Sequence, residues 1–157
     1  MIVHAVQRLL PEMAGKTLGT MFFAMPDLVS LDPGRPSGEL IAASLAFHGS
    51  APGRFGLIAS YSLAKNLAAD FLGWDEAESL TEGRVTSVIG ELANMICGAV
   101  LSEMKLAECF DLSSPKPICV GANDAGPDFT SGSPSICRFE FHGRGALVLF
   151  LGFEASV

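Results

Sequence analysis

Apolar residues recur at helical spacing at the start of the chain, where Val3, Val6, Leu9, Leu10 and Met13 fall on one side of a helix over residues 2–14. Pro11 lies inside that stretch and is expected to kink the helix or end its first part, because proline lacks an N–H and crowds the preceding turn. "KTLGTMFFAM" (16–25) then reads as a strand, and "PDLVSLDPGRPSG" (26–38) as a loop on its Pro and Gly content. "ELIAASLAFHGSAPGRFGLIASYS" (39–62) holds two β-like runs parted by "GSAPG", which predicts a hairpin. A helix follows over about 62–73, then the charged connector "GWDEAESLTEG", then a long helix from about 81 to 108. "LSSPKPICVGAND" carries a short strand and "AGPDFTSGSPS" a mobile loop. The closing "ICRFEFHGRGALVLFLGF" reads as two strands turning at "HGRG". Hairpin strands interrupted by helices predict an α+β domain with a largely antiparallel sheet and long helices packed on one face.

The long helix raises the first question of chemistry. At 100° per residue, Val85, Val88, Ile89, Leu92, Ile96 and Ala99 form its buried stripe. Ser87, Glu91, Asn94 and Gly98 fall within about 60° of one another on a different side. Asparagine is a poor helix former, because its amide competes for backbone groups. Gly90 and Gly98 each cost roughly 0.8–1 kcal/mol against alanine. A solvated face is better served by Lys, Gln or Ala. On spacing alone the face with its carboxylate and carboxamide reads as a solvated one, while a glycine on its open side also suits close approach by another macromolecule, and neither feature names a reaction.

Composition narrows the classes. The 157 residues are 49% hydrophobic and 17% charged with mean hydropathy +0.40, which suits a single well-buried domain spanning 1–157. No uninterrupted apolar run reaches the 18–20 residues of a membrane span, and the start of the chain has neither the basic residues nor the cleavage site of a secretory signal. A cytoplasmic protein is therefore expected. Cys97, Cys109, Cys119 and Cys137 are spaced by 12, 10 and 18 residues without a CxxC or a neighbouring His pair, so reduced thiols are expected and a metal site is not. His4, His48 and His142 lie far apart and read as strand or surface residues. The formal net charge is −7, with 10 scattered basic residues, and this disfavours nucleic-acid binding.

Ser87, Glu91, Asn94 and Pro117 resemble the motif of the CheX/CheC/FliY response-regulator phosphatases of bacterial chemotaxis. The family pattern is Asp or Ser, three residues, Glu, two residues, Asn, and about 22 residues to a Pro. "GELANMICG" is similar to its core, "GRFGLIASYSLAKNLAADFLG" to the strand and helix before it, and "LSSPKPICVG" to the strand entry after it. The motif occurs once, as in CheX-type members, whereas CheC-type members usually carry two copies. Glu12, Gly15 and Gly19 repeat the separations of Glu91, Asn94 and Gly98 with glycine in the place of the amide. That is either a trace of internal duplication or a chance match.

The resemblance implies the CheC-like fold and a phosphatase acting on the aspartyl phosphate of a CheY-like receiver. It implies Glu91 and Asn94 as catalytic residues, with Asn94 orienting the attacking water and Glu91 pairing with the receiver's active-site lysine. Ser87, Gly98 and Pro117 become docking residues, and the small Ala93 and Ala99 would let the helix lie close. The chain has no cofactor of its own on this view, the Mg²⁺ coming with the partner receiver. A homodimer joined through an exposed sheet edge is expected, with no nucleic acid or membrane as partner. Two other functions stay open on the sequence. One is a non-catalytic receiver-binding or motor-switch-like adaptor, since one fold hosts both. The other is a small-molecule sensor between helices and sheet. "GANDAG" and "GRG" lack a phosphate-loop context, and Trp74 reads as a packing anchor or a partner contact.

Overall fold

In chain order the elements are α1 (Ile2–Met21), β1 (Leu28–Ser30), β2 (Leu40–His48), β3 (Gly53–Ser60), α2 (Tyr61–Leu72), α3 (Glu82–Glu103), β4 (Asp111–Leu112), β5 (Lys116–Val120), β6 (Ser135–Phe141) and β7 (Gly145–Phe153), with a 3₁₀ turn at Ala77–Ser79. They come from a computed structural model that describes residues 2–104 and 110–154. All strand pairs are antiparallel, in the order β1-β6-β7-β3-β2, and β4 and β5 both pair with the far side of β2. Both predicted hairpins are present: β2–β3 runs from Leu40↔Ser60 to Phe47↔Gly53, and β6–β7 closes at Phe141↔Gly145.

Period-2 alternation sets the two faces of the sheet. Ile41, Ala43, Leu45 and Phe47 of β2, Phe55, Leu57 and Ala59 of β3, and Leu147, Leu149 and Leu151 of β7 are buried in one core with the helices. The opposite face is apolar at its centre as well, where Leu40, Ala42, Val148 and Phe150 are buried. The loop after β5 covers it. Phe129 lies over Gly56, where a Cβ would fall 2.7 Å from the ring, and tilts against Phe150 at 5.6 Å between centroids. Arg35 holds the start of that loop by donating to the carbonyls of Gly121 at 3.0 Å and Asp124 at 2.6 Å.

The architecture repeats itself. α1–β1–β2–β3 and α3–β5–β6–β7 are each a helix, an edge strand and a hairpin. Each edge strand pairs with the other half's hairpin, β1 with β6 and β5 with β2. The strand order is thus palindromic about the central β3–β7 pair. α1 and α3 pack side by side over it.

Three expectations need correction. α1 neither ends near residue 14 nor kinks into a strand: it runs through Pro11 to Met21, and 16–21 belong to it. The missing hydrogen bond at Pro11 is outweighed by the buried stripe Leu10, Ala14, Leu18 and Phe22, each such large side chain contributing roughly 1.5–3 kcal/mol. The loop after it contains a short strand, β1, whose partner β6 is over a hundred residues away in sequence. The long helix stops at Glu103 with Met104 as its cap, and the remainder of its expected span, with Cys109, lies outside the described residues.

α3 is also the one described helix long and apolar enough to cross a membrane, its best window having hydropathy 1.5. It serves instead as the core helix of the domain, with 56% of that window buried.

Candidate functional site

α3 owes its position to a deep apolar side. Val85, Ile89, Leu92, Ala93, Ile96, Cys97 and Val100 are all fully buried, and Val88 nearly so. Four of these large side chains alone contribute about 6–12 kcal/mol, well above the roughly 2 kcal/mol that Gly90 and Gly98 cost in propensity. The helix starts cleanly, for Thr81 accepts a hydrogen bond from the Arg84 N–H at 3.2 Å as N-cap. Asn94 therefore sits mid-helix on a rigid support, and packing tolerates a residue that propensity would reject.

The polar face emerges as predicted in part. Ser87 and Glu91 are exposed, and Asn94 and Gly98 are half-buried. No hydrogen bond or ion pair ties the side chains of Ser87, Glu91 or Asn94 to another described residue. Three polar groups thus stand on one helix face with no side-chain partner among the described residues. Ala93 departs from expectation. It is fully buried and points to the core, so it contributes nothing to close approach from outside. Ala99, expected in the buried stripe, is half-buried.

A wall runs beside this face. A Cβ at Gly90 would meet Pro115 at 3.4 Å and Pro117 at 3.8 Å, and one at Gly98 would meet Leu112 at 3.7 Å. The segment from Leu112 to Pro117 therefore lies along the helix from Gly98 back to Gly90, passing Asn94. Pro117 faces the helix because β5 pairs with β2 in the register Ala43↔Pro117. Ser113 pins the segment from the other side: its N–H donates to the Ala46 carbonyl at 2.8 Å and its Oγ accepts from the Ala46 N–H at 2.9 Å. Pro115 and Ser113 are not among the residues that the sequence motif marks. The Pro-x-Pro spacing was the available signal for the first, and Ser113 gave none.

Other chemistries fare poorly at this site. The thiol of Cys119, exposed two residues after Pro117, is pushed up to about 11, first by partial desolvation and then by its hydrogen bond with Glu82 and the charges of Glu82 and Glu39. Burial alone pushes the Cys97 and Cys137 thiols up to about 12. At neutral pH each of these is almost wholly protonated, so none is an activated nucleophile. All three are free thiols. Among the described residues no three His, Cys, Asp or Glu side chains are placed to share a metal ion. The arrangement offers two things: a carboxylate free to pair with a cation, and an amide free to hold a small polar molecule through both donor and acceptor.

The fold is that of CheC-like proteins. The structure aligns with the chemotaxis protein CheX of Vibrio vulnificus at a TM-score of 0.72 and 20% identity, over 94% of this chain and 95% of that one. It aligns with CheX in a CheX–CheY–BeF₃–Mg²⁺ complex from Borrelia burgdorferi at 0.69 and 15% identity, over 94% and 97%. FliY of Thermotoga maritima matches at 0.60 and 20% identity, over 96% and 87%. No protein of curated function matches the sequence. The family model for the chemotaxis phosphatase CheX matches residues 41–123, more than half of the chain, and the chain belongs to that family.

Proposed function

We propose that the protein dephosphorylates a CheY-like response regulator, laying α3 over the receiver's aspartyl phosphate. The observation that carries this reading is the pair Glu91 and Asn94. Neither has a side-chain partner among the described residues, both are presented on the open side of a rigid core helix, and both sit in the region matched by the phosphatase family. The complex of a similar protein with CheY supports a receiver as the partner.

An acyl phosphate is already reactive, so the helper's task is positioning. The Mg²⁺ that neutralises the phosphoryl oxygens travels with the receiver and is part of the substrate. Asn94 orients the attacking water, donating through Nδ2 and accepting through Oδ1, without titrating near neutral pH. Glu91, one turn earlier on the same face, pairs with the receiver's active-site lysine and fixes the helix in register. Ser87 and Gly98 extend the contact along the helix, and Pro117 holds the adjoining wall against Gly90. The working place is the cytoplasm, where such regulators act.

A second reading, a binding module without catalysis, draws support from the FliY fold match. The two part at Asn94, which binding alone does not require. Phosphate release from a phosphorylated regulator, accelerated by the wild type and lost in Asn94→Ala, supports the phosphatase. Binding without acceleration supports the module.

A homodimer through β1 belongs to the same proposal. β1 is a sheet edge, and Met21, Phe23, Met25, Leu28, Val29 and Leu31 cluster on and beside it as exposed large apolar side chains. An open edge with an apolar margin favours pairing with a second copy. Light scattering should give twice the chain mass for the wild type and the single mass for Val29→Lys. A wild-type monomer would remove this part of the proposal.

A further inference from the structure

Trp74, the one tryptophan in the chain, is not buried. It keeps 40% of its surface exposed just after α2, whereas Phe22, Phe47, Phe55 and Phe139 of the core are enclosed. Its placement is fixed. Gly73 closes α2 in the left-handed conformation at φ +70°, and the Trp74 N–H donates back to the Ala69 carbonyl at 2.9 Å. The Arg84 guanidinium lies over the indole at 5.4 Å from the ring centroid. Arg84 belongs to α3, on the exposed side and two turns before Glu91, about 10 Å away along the axis.

We infer that Trp74 and Arg84 form a second anchor for the receiver, at the N-terminal end of the Glu91–Asn94 face, and set which regulator binds. The inference rests on the proposed docking of α3. Its basis is size: a standard interface covers about 800 Å² per partner, a disc of about 16 Å radius. A receiver centred on Glu91 and Asn94 therefore covers Arg84, and it meets the indole that Arg84 lies over at the margin of its footprint. Trp and Arg are also the residue types that carry most binding energy at interfaces. Here the ring is held in place before binding, so little entropy is lost on docking. Asp75, Glu76 and Glu78 are exposed immediately beyond it. The surface that fits here is an apolar patch with a basic rim, outside the receiver's phosphorylation site.

The test uses kinetics and binding together. In Trp74→Ala the KM for the phosphorylated regulator should rise at least 10-fold while kcat stays within about 2-fold, and Arg84→Ala should give a smaller rise. Trp74→Phe should recover part of the loss. Trp74 emission should shift saturably when a beryllofluoride-activated regulator is titrated in, with Trp74→Phe as the blank, and should shift equally in Asn94→Ala. Unchanged KM in Trp74→Ala with a wild type that is active would overturn the second anchor and leave the phosphatase standing. An inactive wild type whose Trp74 emission still responds would sink the phosphatase and keep the anchor. No activity and no emission change would remove both.

Discussion

α1 and α3 share much of one buried stripe and differ in the face they turn to solvent, α3 also burying Leu92, Ile96 and Val100 where α1 leaves Met13, Thr17 and Met21 partly or well exposed. At a constant offset of 79 residues, Val6 and Val85, Leu10 and Ile89, Ala14 and Ala93, and Leu18 and Cys97 are all fully buried. Leu9 and Val88 keep 3% and 6% of their surface, and Phe22 and Leu101 keep 0% and 4%. Glu12 and Glu91 are both exposed, and Gly19 and Gly98 are both half-buried. Of the four positions that make up the Ser87–Gly98 face, two break the match. Gly15 stands in the place of Asn94, and Arg8 in the place of Ser87. Arg8 holds Glu12 in an i,i+4 ion pair at 3.5 Å, whereas Ser87 leaves Glu91 uncommitted. The palindromic sheet asks the same of both helices, so the shared residues belong to the fold. What the Ser87–Gly98 face of α3 has and the matching face of α1 lacks is surplus to folding. That surplus is where the proposed chemistry lies.

The largest expected contrast lies at the unmatched amide. Asn94→Ala should lower kcat at least 100-fold, since misplacing a reactant by about 1 Å costs that much. It should leave stability level or raise it by about 0.5 kcal/mol, alanine being the better helix former. Gly15→Ala should leave the rate untouched and add up to about 1 kcal/mol, because a Cβ there meets nothing within 4 Å. Thermal melts and phosphate-release rates read both. An Asn94→Ala chain that melts well below the wild type would mean the amide supports the fold after all.

Next comes the wall that α1 does not have. Gly90→Leu must displace Pro115 or Pro117, an overpacking cost of about 1–3 kcal/mol, with a loss of rate as the segment beside Asn94 shifts. Gly15→Leu on the open helix should be tolerated. Equal melting temperatures for the two would show that the wall yields freely.

The smallest contrast is between the carboxylates. Glu91→Ala should raise KM for the phosphorylated regulator about 10-fold. Glu12→Ala should keep KM within about 2-fold and change stability by no more than about 0.5 kcal/mol, as exposed ion pairs do. Steady-state kinetics on the two variants side by side would break the comparison if Glu12→Ala proved the more damaging.

Much of this was readable before the structure, and the unread parts share a cause. Both hairpins, α2 and the start of α3 follow from local pattern and turn chemistry. So does the common face of Ser87, Glu91, Asn94 and Gly98, because helical geometry places those residues without reference to the rest of the chain. α1 was cut short because Pro11 and the run "TMFF" argue locally for a break, while its true length is set by Leu18 and Phe22 meeting a core built from the rest of the chain. β1 has three residues and exists only through Val29↔Phe139 and its neighbours. The size of Ala93 suits a partner's side as well as a core, and a small residue does not say whether it faces a core or an opening. The same holds for Gly90: its helix cost is plain in the sequence, and its reason, the two prolines of β5 and its entry, is a tertiary fact.

The measurement that tests the central claim most directly is phosphate release from CheY-like regulators charged with acetyl phosphate, with wild type, Asn94→Ala and Gly15→Ala compared at equal concentration. The account predicts acceleration by the wild type, the same acceleration by Gly15→Ala, and loss of at least 100-fold in Asn94→Ala with binding retained. A regulator that loses phosphate as fast with Asn94→Ala as with the wild type would contradict it.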